Sequence, residues 1–111
     1  MADELERIRV KLRKAKKIIF TKHAIIRRME RKINRNEIEG YLSNPKFLSK
    51  AVPQKTEFIG EEKYRLFFKL SRNKALILVV SLRKESLYVI TTFIKYRKLD
   101  KRVKVWRKKR W

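Results

Sequence analysis

His23, Arg27 and Arg31 stand four residues apart, the spacing that places three side chains along one face of a helix. His23 is the only histidine in the chain. Thr21 reads as the N-cap of a helix over about 22–32, so His23 takes the second helical position. There the N–H groups of the first turn lack helical partners and the positive end of the dipole faces outward. Such a position favours a phosphate. An imidazole base with two fixed guanidiniums is a kit for RNA cleavage without a metal ion. The base takes the proton of a 2′-hydroxyl, the guanidiniums stabilise the charge that builds on the phosphorane, and an acid protonates the leaving 5′-oxygen. The plainer alternative is a surface histidine on a solvated basic face, with no chemistry attached.

The charge of the chain favours a polyanionic partner. Of 111 residues, 33 are Lys or Arg and 11 are Asp or Glu, a net charge of +22. Repulsion at that level opposes a compact state unless something such as a phosphate backbone neutralises it. The excess is uneven, because residues 63–111 hold only two acidic residues, Glu85 and Asp100. The segment 95–111 packs 10 Lys or Arg among Tyr96, Trp106 and Trp111, a mixture suited to stacking on unpaired bases while cations hold phosphates. Cysteine is absent, and one histidine with no cysteine argues against a zinc site. Neither metal nor cofactor is expected. No apolar run approaches the roughly 18 residues of a membrane span, and the acidic start lacks a signal-peptide core, so a cytoplasmic protein is expected.

The positioning elements follow from periodicity. Residues 3–16 read as a charged helix whose stripe Leu5, Ile8, Leu12, Ala15 and Ile19 packs on its own domain or on a partner helix. In the helix after Thr21, Ala24, Ile25 and Met29 form an inner face, and Phe20 with Ile25 has staple spacing. Asn34 with Glu37 opens a further helix over about 35–43, which buries Ile38, Tyr41 and Leu42 and stops before Asn44-Pro45. The period then changes to two. Strands are expected at 56–59, 63–71, 75–82 and 87–95, with turns at Ser71–Lys74 and Arg83–Ser86. Tyr64, Leu66, Phe68 and Leu70 share one face of the second strand, and Lys63, Arg65, Phe67 and Lys69 the other. The fold class is α+β, with N-terminal helices packed on a four-stranded antiparallel sheet and a basic C-terminal tail. Three segments result: a charged helical extension at 1–19, an α+β domain at 20–96 and a basic aromatic tail at 97–111.

Thr21-Lys22-His23-Ala24, then Arg27, Arg31 and Ile33, a short helix ending at Asn44-Pro45, and the late run Val89-Ile90-Thr91-Thr92-Phe93 resemble a family of small RelE/ParE-like toxin-related domains. The resemblance covers about 20–95. It implies a RelE-like or barnase-like fold, metal-independent endoribonuclease activity and an acidic antitoxin partner. By position, His23, Arg27 and Arg31 match its helix motif, and Thr91, or its neighbour Thr92 on the opposite side of the strand, matches its late threonine. The chain departs from the pattern at the helix end, where Met29 falls one place late and Lys32 stands where the family often has Gly.

The candidate catalytic set is therefore His23, Arg27, Arg31 and Thr91. The candidate nucleic-acid contacts are Lys63, Arg65, Lys95, Tyr96, Arg97, Arg102, Lys104, Trp106, Arg107 and Trp111. The expected partner is RNA, free or ribosome-bound, with a homo-oligomer also open. Two other classes compete with an endoribonuclease: a non-catalytic RNA- or DNA-binding module, and a basic structural subunit of a nucleoprotein assembly docked through the N-terminal stripe.

Overall fold

The computed structural model describes residues 2–96, with side chains from Glu4 onward. Among the described residues, three helices, α1 (Ala2–Lys14), α2 (Lys22–Glu30) and α3 (Arg35–Ser43), accompany five strands. These are β1 (Lys17–Phe20), β2 (Leu48–Pro53), β3 (Glu61–Lys69), β4 (Lys74–Arg83) and β5 (Ser86–Tyr96). The strands form one sheet in the order β1-β5-β4-β3-β2. The meander β2 to β5 is antiparallel, and β1 joins β5 in parallel. The α+β class holds, but the sheet is five-stranded and mixed, not four-stranded and antiparallel.

Two strand assignments change for physical reasons. In the sequence the apolar stripe of the first helix continues past residue 16 to Ile19, within a helical extension expected at 1–19. The helix ends at Lys14 instead, and the backbone N–H groups of Lys16 and Lys17 donate to the Glu85 carbonyl, at 2.8 and 3.4 Å. A turn some 70 residues away thus recruits the segment into the sheet, a pairing no local pattern encodes. The expected strand at 56–59 is a loop. The N–H groups of Glu57 and Phe58 donate to the Glu61 carboxylate rather than to a ladder, and Gly60 turns the chain at φ +84. The edge strand lies earlier, at Leu48–Pro53, with an irregular register after Leu48 and a proline at its end.

The helices cover one face of the sheet. Ile8 and Leu12 of α1, Ile38 and Leu42 of α3, Ile33 and Ala24 pack with Tyr64, Leu66, Phe68, Leu78, Val80, Leu87 and Val89 in a single core. The N-terminal stripe thus packs on its own sheet. Arg9 secures α1 by donating to the carbonyls of Pro45 and Leu48, at 3.1 and 2.7 Å. Lys11 and Arg7 pair with Glu62, and with Tyr64 they hold its carboxyl below the usual carboxylate range.

The face expected inside α2 is mostly outside. Ala24 is buried, but Ile25, Ile26 and Met29 are exposed. The reason is placement, since α2 lies beside β5 where β1 has ended. Thr21 N–H and Oγ1 donate to the carbonyls of Val89 and Ile90, and Arg31 Nη1 donates to that of Thr92 at 2.9 Å. The two ends of the helix therefore satisfy the free edge of β5, and only one small residue needs to sit against it.

Candidate nucleic-acid interface

The face of the sheet opposite the helices carries a cross-strand row of four residues. Lys50 pairs with Phe67, Phe67 with Ile77, and Ile77 with Phe93, each from a different strand. Alternation along the strands puts Arg65 and Lys69 on this face beside Phe67. Register then adds Val79 and Thr91 in the Arg65 row and Lys95 in the Lys69 row. Cations sit over the rings at both ends. Lys50 Nζ is 5.3 Å from the Phe67 centroid, and Arg31 Cζ is 6.0 Å from that of Phe93. Ile77 between the rings is fully buried although it stands apart from the helix-side core.

Two concavities open on this face and meet at Phe67 and Lys95. One, of about 350 Å³, is lined by Arg65, Phe67, Ile77, Phe93, Ile94, Lys95 and Tyr96. The other, of about 520 Å³, contains Lys50, Lys69, Arg72, Lys74 and Lys95 along its walls. Neither has an acidic residue in its lining. Lys74 Nζ lies 5.5 Å from the Tyr96 ring, so the far end of β5 repeats the cation-over-ring arrangement.

A β-bulge sets the late threonines. Val79 faces Thr91 while Val80 faces Val89, which leaves Ile90 as an extra residue. Thr91 consequently shares the open face with Arg65, whereas Thr92 is fully buried and its hydroxyl oxygen has no hydrogen-bond partner among the described residues.

On α2 the Thr21 cap forms, accepting from Ala24 N–H at 3.1 Å, and His23 takes the second helical position. Arg27 Nε donates to His23 Nε2 at 3.3 Å, and Arg27 also pairs with Glu30 at 3.1 Å. Arg31 points the other way, to the edge of β5 and the Phe93 ring. His23 and Arg31 are two turns apart, about 12 Å of helix rise, and His23 lines neither concavity. The structure thus joins His23 with Arg27, and joins Arg31, Arg65, Lys95 and Tyr96 around Phe93. It does not gather the proposed catalytic set into one cluster. Among the described residues, no three His, Cys, Asp or Glu side chains gather as a metal site.

Residues 20–94 match a family model described as a domain of unknown function, DUF4258. The chain belongs to the DUF4258 family. Comparison with curated proteins and with solved structures finds no match.

Within this DUF4258 domain, Lys63 lies away from the two concavities, its Nζ 3.9 Å from a Glu57 carboxylate oxygen. Arg97, Arg102, Lys104, Trp106, Arg107 and Trp111 lie outside the described residues. Lys50, Phe67, Lys69, Arg72, Lys74 and Phe93 are groove residues that sequence reasoning did not select as contacts. Phe67 carried a signal, because an aromatic in register with Lys63, Arg65 and Lys69 belongs to the solvent side of its strand. Lys50 did not, since the sequence pattern points to a strand at 56–59, several residues after the one observed at Leu48–Pro53. Phe93 did not either, since the bulge at Ile90 shifts the alternation before it.

Proposed function

We propose that this protein binds RNA across the open face of its sheet and cleaves it without a metal ion, as a toxin-like endoribonuclease. The observation that carries the reading is the pair of adjoining concavities, rich in cations and aromatic rings and without an acidic lining residue. Such a surface attracts phosphates through Arg65, Lys69 and Lys95 and offers rings to bases. At the neighbouring helix, His23 supplies the base, and Arg27 stands next to it to stabilise charge on phosphorus. Arg27 turns from His23 Nε2 to the phosphate, His23 Nε2 takes the 2′-hydroxyl proton, the 2′-oxygen bonds to phosphorus, and the 5′-oxygen leaves with a proton from solvent. The products are a 2′,3′-cyclic phosphate and a 5′-hydroxyl end. Exposed Ile25, Ile26 and Met29, with Lys22, Arg28 and Lys32 near them, suit an acidic amphipathic partner such as an antitoxin segment.

A binding module without cleavage is the second reading, and the separation of His23 from both concavities favours it. The test is incubation of labelled RNA with the protein in EDTA. Cyclic-phosphate ends that disappear in His23→Ala support the endoribonuclease. Binding without turnover in the wild-type protein, or cleavage undiminished in the variant, removes His23 from the chemistry.

A further inference from the structure

The open face raises a question that charge alone does not answer, namely why Phe67 and Phe93 stand in register on the side of the sheet away from the helices. Both rings are half-buried, and apolar surface held together on the open side of a sheet marks a place where a partner docks. Here the two rings flank Ile77 and together with it floor a concavity that Arg65, Lys95 and Tyr96 surround. A protein partner with an acidic rim would fit the charge, but would leave the paired spacing of the rings unexplained. A nucleic-acid strand accounts for both.

We propose that Phe67 and Phe93 are stacking platforms for two unpaired bases, so that this surface selects single-stranded over duplex RNA. The proposal rests on the RNA-binding reading above and names its substrate class. Neighbouring strands lie about 4.8 Å apart, so rings two strands apart stand roughly 10 Å apart across Ile77. A base can lie on each without the two bases stacking on one another. In a duplex the base faces are already stacked internally and closed to the protein.

The cations over the rings fit this reading. In the free protein, Lys50 and Arg31 occupy cation–π positions on Phe67 and Phe93. An exposed contact of that kind is worth about a 2- to 5-fold effect. A stacked base is worth about 5- to 150-fold in affinity. An arriving base therefore displaces the cation from the ring, and the freed charge moves to the adjoining phosphate. The strand gains a stacking contact and an ionic contact in one exchange. Lys50 lies at the exposed edge strand and can make this swing freely, whereas Arg31 keeps its bond to the Thr92 carbonyl as a pivot.

The experiment measures binding of a fluorescent single-stranded oligonucleotide and of a hairpin duplex of equal charge, with the full chain in EDTA. Wild-type protein should prefer the single strand by at least about tenfold. Phe67→Leu and Phe93→Leu keep an apolar cover over Ile77 while removing the π face. Each should lose about 5-fold or more on the single strand with little change on the duplex. Phe67→Trp should keep the preference. Lys50→Gln should lower the slope of log affinity against log salt by about 0.7 on the single strand. Folded Leu variants that bind like wild type, or equal wild-type affinity for both RNAs, would overturn the stacking proposal and leave RNA binding intact. No RNA binding by the wild-type protein would overturn both. Loss of cleavage alone, with the single-strand preference retained, would count against the endoribonuclease only.

Discussion

Replacing Glu61 by Gln should destabilise the protein by about 2 kcal/mol at neutral pH, and the difference should shrink in acid. The Glu61 side chain is 3% exposed and stands at the start of β3. It accepts hydrogen bonds from the N–H of Glu57 at 2.9 Å, the N–H of Phe58 at 3.4 Å and the Ser81 hydroxyl. Arg83 Nη2 stands 3.8 Å away. These contacts fix the loop that places the Phe58 ring 4.5 Å from Arg83 Cζ, which also lies 4.6 Å from the Tyr88 ring. A charged acceptor makes hydrogen bonds about twice as strong as a neutral one, and each is worth roughly 1.5–3 kcal/mol. Losing the charge at two good bonds and one long one gives about 2 kcal/mol, or a fall in Tm on the order of 8 °C.

The Ser81 hydrogen bond first, and the Glu57 N–H second, lower the Glu61 pKa from its ordinary 4.5. The folded protein therefore holds this proton less tightly than the unfolded chain. Its contribution is complete above about pH 4.5 and is lost as pH falls through the lower folded value. Glu62 is lowered as well, but it is present in both proteins and cancels in the difference. Thermal melts of wild type and Glu61→Gln from pH 7 to pH 3 should show a gap that narrows below pH 4.5. A gap that stays constant across that range would refute the role of the ionised carboxylate.

Other perturbations probe separate parts of the structure. Ile8→Ala should cost about 2–5 kcal/mol in denaturant unfolding, because Ile8 is 1% exposed in the core shared with the sheet. A neutral result would mean that α1 is not part of the cooperative fold. Gly40→Ala should stabilise by up to about 1 kcal/mol, since Gly40 sits inside α3 and an added Cβ would meet nothing within 4 Å. Thr92→Val should be neutral or raise the Tm, because it removes a buried hydroxyl without a partner among the described residues. A clear loss of stability in that variant would point to a hydrogen bond with bound water.

Much of the helical part was legible in the sequence because its determinants are local. Thr21 and Asn34 are both N-caps as their spacing indicates, and Asn34 Oδ1 accepts from Asn36 N–H at 2.7 Å. The three long strands and their turns were legible for the same reason, since alternation and turn residues act over a few positions. The end of α2 was harder. Lys32 adopts φ 54, the left-handed position that glycine favours, and the Ile33 N–H reaches back to the Arg28 carbonyl at 2.9 Å. The missing glycine did not prevent this helix end from forming.

By itself the sequence determined the excess of cations, the capped helix with its His23-Arg27-Arg31 spacing, and the alternating strands that send Arg65 and Phe67 away from the core. Each depends on residue type and short separation. Tertiary structure alone decided three things. The parallel pairing of β1 with β5 joins segments nearly 70 residues apart. The bulge at Ile90 puts Thr91 and Phe93 on the open face and buries Thr92. The placement of α2 at the edge of β5 turns Arg31 toward Phe93 and separates it from His23. A helical spacing aligns side chains along one face, but the surface that each of them meets depends on where the helix docks.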